Sequence, residues 1–186
     1  MNNFFRGKRV FITGHTGFKG SWLCKILLNL GADVTGFSLN PQSVPHLFEV
    51  SGIQGSIKSI IGDIRDYNCL EKVFKNANPD IVIHLAAQPL VRESYNNPLY
   101  TYETNILGTV NLLECVRRNN CVKSFLNVTT DKVYQNNEWV WGYRENDRLN
   151  GYDPYSNSKA CSELITQSYN SSFLNSMGIA VSTARA

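Results

Sequence analysis

A chain of 186 residues is long enough to fold as one domain around a real hydrophobic core. Its 42% hydrophobic and 18% charged content is that of an ordinary folded protein and excludes a low-complexity or fibrous one. A formal net charge of +3 with no lysine or arginine run argues against a nucleic-acid partner, and no apolar run reaches the ~18 residues of a membrane span.

Met1 to Arg6 has no apolar stretch of the kind that opens a signal peptide, and leads straight into a strand. The five cysteines (Cys24, Cys69, Cys115, Cys121, Cys161) are odd in number and contain no C-x-x-C pair. This pattern favours reduced thiols in the cytoplasm over disulfides or zinc, and no metal site is expected. Cys24 and Cys115 fall among apolar helix positions and read as small core residues.

Lys8 to Thr13 is β-rich and apolar, and three glycines at spacing three follow it: Gly14, Gly17 and Gly20. From Ser21 to Leu30 apolar residues recur with a helical period. Strand, glycine turn and helix together form the context in which a glycine fingerprint predicts dinucleotide binding. Gly14 turns the chain off the strand, Gly17 lets backbone approach a pyrophosphate, and Gly20 lets the helix pack close to the sheet. The free N–H groups at the helix start then face phosphate.

The second strand is predicted at Asp33–Ser38, after Gly31 closes the helix. Its end, Phe37-Ser38-Leu39-Asn40, carries neither the carboxylate that binds ribose hydroxyls nor an arginine for a 2′-phosphate, so local chemistry leaves NAD and NADP both open. Residues 41–45 read as a loop and Leu47–Val50 as a helical turn. A third strand at Ser56–Ile61 runs into Gly62-Asp63-Ile64-Arg65-Asp66. Asp66 is placed to cap a helix from Tyr67, while Asp63 is free to accept from an adenine amino group.

Asp80–Leu85 is a nearly continuous apolar strand, as a buried parallel strand should be. It ends in Ala86-Ala87-Gln88, where two alanines leave room either for a flat ligand or for tight packing under a helix. His84 and His46 read as satisfied structural residues, and His15 as a loop residue with no identifiable partner. Pro98 opens one long helix to about Arg118, whose apolar stripe is broader than one sheet contact needs and holds an unexpected amide, Asn105.

Strand five, Lys123–Val128, is followed by Thr129-Thr130-Asp131-Lys132, so hydroxyl, carboxylate and amine stand at the carboxyl end of a parallel strand, where open α/β sheets place their chemistry. Residues 133–152 form a long aromatic-rich loop, a length typical of functional segments. Asp153-Pro154 then caps a helix in which Tyr155 and Lys159 share a face. A nearby ammonium is expected to lower the phenol pKa toward neutrality, making Tyr155 a general base. Gly178 ends this helix, and Ile179–Ala184 is a sixth strand. The alternation predicts an α/β doubly wound parallel sheet in three layers, a Rossmann fold in strand order 3-2-1-4-5-6 over the whole of 1–186.

Taken together, Thr13–Gly20, Gly62–Asp66, His84–Gln88, Thr104–Thr109, Thr130–Tyr134 and Tyr155–Lys159 resemble the extended short-chain dehydrogenase/reductase family. Within it, Gly14–Leu23, Ala87–Arg92, Thr129–Lys132 and Trp139–Glu145 resemble the CDP-glucose 4,6-dehydratase branch, Lys132 standing where the dTDP-glucose branch has Glu. The resemblance implies tightly held NAD on Gly14, Thr16, Gly17, Phe18, Lys19, Asp63, Ile64, Leu85, Ala86, Ala87, Asn105, Tyr155 and Lys159. It implies catalysis by Thr130, Asp131, Lys132, Tyr155 and Lys159, with Gln88, Arg92 and Thr130 touching a nucleotide-sugar substrate, CDP-glucose. Lys132 would remove the C5 hydrogen as a neutral amine beside a protonated Asp131, a pairing that requires a desolvated site.

The same resemblance implies a homodimer through helices near 98–118 and 155–175, and a role in making bacterial surface polysaccharide. It also implies a longer chain with a substrate-binding part beyond residue 186. Asn150 stands where a glycine is more usual. Two other readings are an NAD(P)-dependent nucleotide-sugar epimerase or reductase of the same fold, and a dinucleotide-binding module without turnover.

Overall fold

Strands buried on both faces should carry apolar side chains at consecutive positions, and the first strand shows how this chain meets the requirement. In β1 (Arg9–Thr13), Val10 and Ile12 point to one face and Phe11 to the other, and all three are buried. The computed structural model describes residues 3–41 and 44–186, so the expected loop at 41–45 lies partly outside the described residues. A short 3-10 turn at Asn3–Phe5 precedes β1. After it come α1 (Phe18–Asn29), β2 (Asp33–Ser38), α2 (Leu47–Val50), β3 (Lys58–Ile61) and α3 (Tyr67–Ala77). β4 (Ile81–His84) leads into α4 (Val91–Asn96) and α5 (Pro98–Tyr102), then α6 (Gly108–Arg117) and β5 (Ser124–Thr129). α7 (Pro154–Tyr169) and β6 (Ala180–Arg185) complete the order.

The six strands form one parallel sheet in the order β3-β2-β1-β4-β5-β6, the doubly wound topology expected from the alternation. One face carries Phe11, Phe37, Val82 and Phe125 and is covered by Phe74 of α3, Leu112 and Leu113 of α6, and α7. The other carries Val10, Ile12, Val34, Ile81 and Ile83 beneath α1 and α2. At the β5 end this second face is thinner, and Leu126 and Val128 are only half-buried.

Helix ends follow the side-chain chemistry. The carboxylates of Asp66 and Asp153 accept from the N–H groups of Cys69 and Ser156, each at 3.0 Å, capping α3 and α7. The long helix expected from Pro98 to Arg118 is broken by a π turn at Glu103–Leu107, and a second π turn (Asn170–Leu174) extends α7. A π turn adds a residue to one helical repeat and rotates the face that follows it. Among the described residues no helix is long and apolar enough to cross a membrane, and all five cysteines are unpaired. All three tryptophans are substantially exposed: Trp22 at 52%, Trp139 at 45% and Trp141 at 73%.

Candidate active site

A cleft of about 1120 Å³ lies over the carboxyl ends of the central strands. Residues at or just after the ends of β1, β2, β3 and β4 form most of its wall, including Gly14, Gly17, Ser38, Asp63 and Ala86. Gly14 has φ +77°, and a Cβ on it would lie 2.7 Å from the Ala86 nitrogen. It therefore serves a left-handed turn and a close crossing of the β4 end at once. A Cβ on Gly17 would meet only the Gly14 carbonyl, at 3.3 Å, so this position faces open cleft. Gly20 abuts the Gly14 carbonyl and His15, so the close approach at the third glycine is between helix and turn.

The start of α1, with Phe18 and Lys19, lines the same wall. Backbone N–H groups there and the lysines Lys19 and Lys159 make one side of the cleft suited to phosphate. The Thr16 hydroxyl donates to the Leu39 carbonyl at 2.9 Å and bonds the Ser38 hydroxyl at 2.8 Å, tying the glycine turn to the end of β2. No carboxylate stands at that end, in keeping with the sequence. Asp63 and Ile64 line the wall after β3, and the Arg65 guanidinium forks onto the Asp63 carboxylate at 2.7–3.1 Å. This contact holds the Asp63 carboxyl below its ordinary pKa.

Leu85, Ala86 and Ala87 line the cleft after β4. Asn105 lies behind them rather than in the wall. Its Oδ1 accepts from the Gln88 N–H at 2.8 Å, and its Nδ2 donates to the Gln88 carbonyl at 3.1 Å and to Ser158 at 2.8 Å. An amide within the helix stripe is explained by this: it pairs with a loop peptide as a neighbouring strand would. The Gln88 side chain is also committed internally. It donates to the Thr101 hydroxyl at 2.9 Å and accepts from the Leu90 N–H at 2.7 Å. Arg92 is exposed on α4, outside the cleft wall, and forms no ion pair among the described residues.

Tyr155 and Lys159 both line the cleft from α7. Lys159 is buried and donates to the Val128 carbonyl at 3.3 Å. Burial, with the nearby Lys19 charge, lowers its pKa to about 8. Tyr155 moves opposite to the sequence expectation. Burial raises its pKa, and a hydrogen bond with Thr130 only partly offsets this. A lysine four residues along is visible in the sequence, whereas the desolvation of the phenol is not.

Asp131 and Lys132 stand in a 3-10 turn (Asp131–Val133) capped by Thr130, whose hydroxyl accepts from the Lys132 N–H at 3.4 Å. Their side chains pair at 3.8 Å and are 76% and 55% exposed. The desolvated setting expected for them is absent here, and they form a solvated ion pair beside the cleft. His15 is also corrected. It is fully buried, bonded through Nε2 to Ser59 at 2.7 Å and stacked edge-on against Phe48, with Gly36 making room for its ring. His84 is satisfied as expected, bonding Thr13 at 2.7 Å and Thr109 at 3.0 Å, and burial lowers its pKa to about 3.

The dense polar face of α7 was missed in the sequence. Ser158, Ser162, Glu163 and Thr166 are all buried against β5 and its neighbours. Their four-residue recurrence with Tyr155 and Lys159 is the signal that marks this face.

Residues 11–183 match the family model described as GDP-mannose 4,6 dehydratase. The chain is 54% identical over 173 residues to CDP-glucose 4,6-dehydratase of Salmonella typhimurium, covering 93% of this chain and 48% of that protein. Among solved structures it is similar to dTDP-glucose 4,6-dehydratase from Bacillus anthracis in complex with NAD, at TM-score 0.75 and 28% identity over 94% of this chain and 53% of that one. It is also similar to UDP-glucose 4-epimerase from Thermus thermophilus in complex with NAD, at TM-score 0.80 and 26% identity over 95% and 54%. The chain thus spans about half the length of the relatives it matches. With the glycine turn, the six-stranded sheet and the Tyr155/Lys159 face all falling inside the matched region, the chain belongs to the GDP-mannose 4,6-dehydratase family.

Proposed function

We propose that this chain is the dinucleotide-binding half of a CDP-glucose 4,6-dehydratase, which converts CDP-glucose to CDP-4-keto-6-deoxy-glucose with loss of water. The observation that carries the reading is the pairing of Thr130-Asp131-Lys132 at the β5 end with Tyr155 and Lys159 on α7, in a chain 54% identical to a protein of that activity. Epimerases of the same fold need no acid and base to expel a hydroxyl, which places them second.

The cleft fits NAD. Gly17 leaves space where a Cβ would intrude, the α1 start and Lys19 offer donors to a pyrophosphate, and Asp63 and Ile64 stand where adenine would lie. A bound nicotinamide would supply the acceptor for hydrogen at C4 and its donor at C6. This chain's residues do the proton work. Tyr155 takes the C4 hydroxyl proton, assisted by Thr130, whose hydrogen bond opposes the burial effect on the phenol, with Lys159 one turn along the same helix. Lys132 takes the C5 proton once C4 is a ketone, and Asp131 gives its proton to the departing C6 hydroxyl, which leaves as water. A proton returned to C5 completes the balance. Covering of the Asp131/Lys132 pair by substrate and the remainder of the enzyme would provide the desolvation that their roles require.

We infer the same origin for the dimer. Leu99, Leu107, Leu164 and Phe173 are exposed on the helices near 98–118 and 155–175, an apolar set suited to a second copy. Cytoplasmic location and a role in surface polysaccharide synthesis belong to this reading, and five unpaired thiols support the former. The deciding experiment supplies CDP-glucose and NAD to the full-length protein and follows solvent hydrogen at C5. Formation of the 4-keto-6-deoxy sugar, with exchange lost in Lys132→Met, is expected. Conversion to a C4 epimer instead, or unchanged exchange in Lys132→Met, would overturn the assignment.

A further inference from the structure

Glu163 is buried on α7, one turn beyond Lys159 and two beyond Tyr155. Its carboxylate is fully engaged. Oε1 accepts from Thr129 at 2.5 Å and from Arg185 Nε at 2.9 Å, and Oε2 accepts from Thr183 at 3.1 Å and from Arg185 Nη2 at 2.7 Å. The other end of the guanidinium faces the opposite way. Arg185 Nη1 donates to the Tyr134 hydroxyl at 2.6 Å and to the Glu145 carbonyl at 2.8 Å, and the group lies over the Tyr134 ring at 4.8 Å. Tyr134 in turn stacks on Tyr143, with ring centroids 5.2 Å apart.

One planar group therefore joins three pieces: α7, the β5–β6 edge and the segment 131–149. The start of that segment is also seated beside α7 through the fully buried Val133, and from Tyr134 onward its remaining hydrogen bonds among the described residues are internal or lie at its own base. Tyr134 bridges Leu149, and Gln135 and Asn150 bond nearby carbonyls. Its aromatic tip, Trp139 to Trp141, faces solvent. A guanidinium can serve here because its fork binds one carboxylate bidentately and still has N–H groups to spare, which a lysine cannot do.

We propose that Glu163 and Arg185 form a positioning pair that holds the 131–149 segment against α7, so that Asp131 and Lys132 stay in register with Tyr155 and Lys159. The inference rests on the dehydratase reading for its catalytic consequence, but not for its structural one. Neither residue lines the cleft itself, so both act through the wall residue Thr129, through Tyr134 and through the segment they anchor.

Two variants of the full-length protein test the pair. Arg185→Lys keeps charge and loses the fork. Tyr134→Phe removes only the hydroxyl that Arg185 grips, on a half-buried residue where folding is not at stake. Amide hydrogen exchange, which needs no substrate, is expected to quicken by about tenfold across 131–149 and to stay within about twofold across 155–166 in both variants. With CDP-glucose and NAD, oxidation at C4 (followed by nicotinamide absorbance) is expected to persist, while C5 exchange falls by about tenfold. If Arg185→Lys fails to fold, Tyr134→Phe decides alone. Unchanged exchange in the segment, or equal losses at C4 and C5, would overturn the pair's role. A wild-type protein inactive on CDP-glucose would instead overturn the functional reading, leaving the amide exchange to judge the pair.

Discussion

The ammonium of Lys159 donates to the carbonyl of Val128 at 3.3 Å, which fixes a buried positive charge in the cleft wall at the end of β5. Its depressed pKa, about 8 against an ordinary 10.5, has a definite consequence for stability. Between those two values the unfolded chain holds the proton and the folded chain does not, so stability rises with pH through this window. Below pH ~8 the charged lysine is retained in both states and its burial penalty is paid in full. Denaturant midpoints of wild type and Lys159→Met, compared from pH 7 to 10.5, are expected to show wild type gaining by up to about 3 kcal/mol relative to the variant. A difference that stays flat with pH would show that the lysine is not buried as described.

Gly14 and Gly17 should respond differently to substitution. Gly17→Val places a branched side chain into the cleft from an extended backbone position, so the fold is expected to survive and NAD binding to be lost. Gly14→Ala meets both a left-handed backbone and the Ala86 nitrogen, and is expected to cost about 2–4 kcal/mol of stability. Thermal unfolding and NAD titration of the two variants separate the effects.

Asn105→Leu keeps the volume and removes the amide. The Gln88 N–H and carbonyl then lose their buried partner, at an expected cost of about 2–4 kcal/mol. The Ala86–Gln88 wall should shift with them, weakening NAD binding beyond what lost stability accounts for. Calorimetric titration on the folded fraction measures this, and an unaltered affinity would show that the wall holds without the amide.

At the opposite end of the sheet, Arg9 forks onto Asp80 at 2.7 and 3.1 Å, joining the starts of β1 and β4. The pairing lowers the Asp80 carboxyl to about 2 from an ordinary 3.8. Stability from this group is present above pH ~3.8 and is lost as pH falls toward 2. Asp80→Asn is expected to unfold at higher pH than wild type in acid titration, with the two converging at the acid extreme.

The sheet was legible because its strands are short apolar runs, and the caps at Asp66 and Asp153 because capping is local chemistry. The π turn at 103–107 was not, since an unbroken apolar stripe reads as one helix until Asn105 is seen to reach across to Gln88. His15 shows the same limit. Its partner Ser59 is 44 residues away, and the room for its ring comes from a glycine in β2. Which residues surround the cleft was largely written in the glycine spacing and strand ends. How wet each one is was not: burial reverses the expectation for Tyr155, and Asp131 and Lys132 stand exposed in this chain.

The placement of the tryptophans has a spectroscopic consequence. Indole emission moves to the red when the ring meets water, and all three rings already do so in the folded chain. Unfolding should therefore shift the emission maximum little, and fluorescence would under-report denaturation that circular dichroism records plainly. Any event that covers Trp139 and Trp141 would move the spectrum to the blue from a folded baseline. The protein thus carries its own indicator for contact at the 131–149 segment, silent toward the melting of its core.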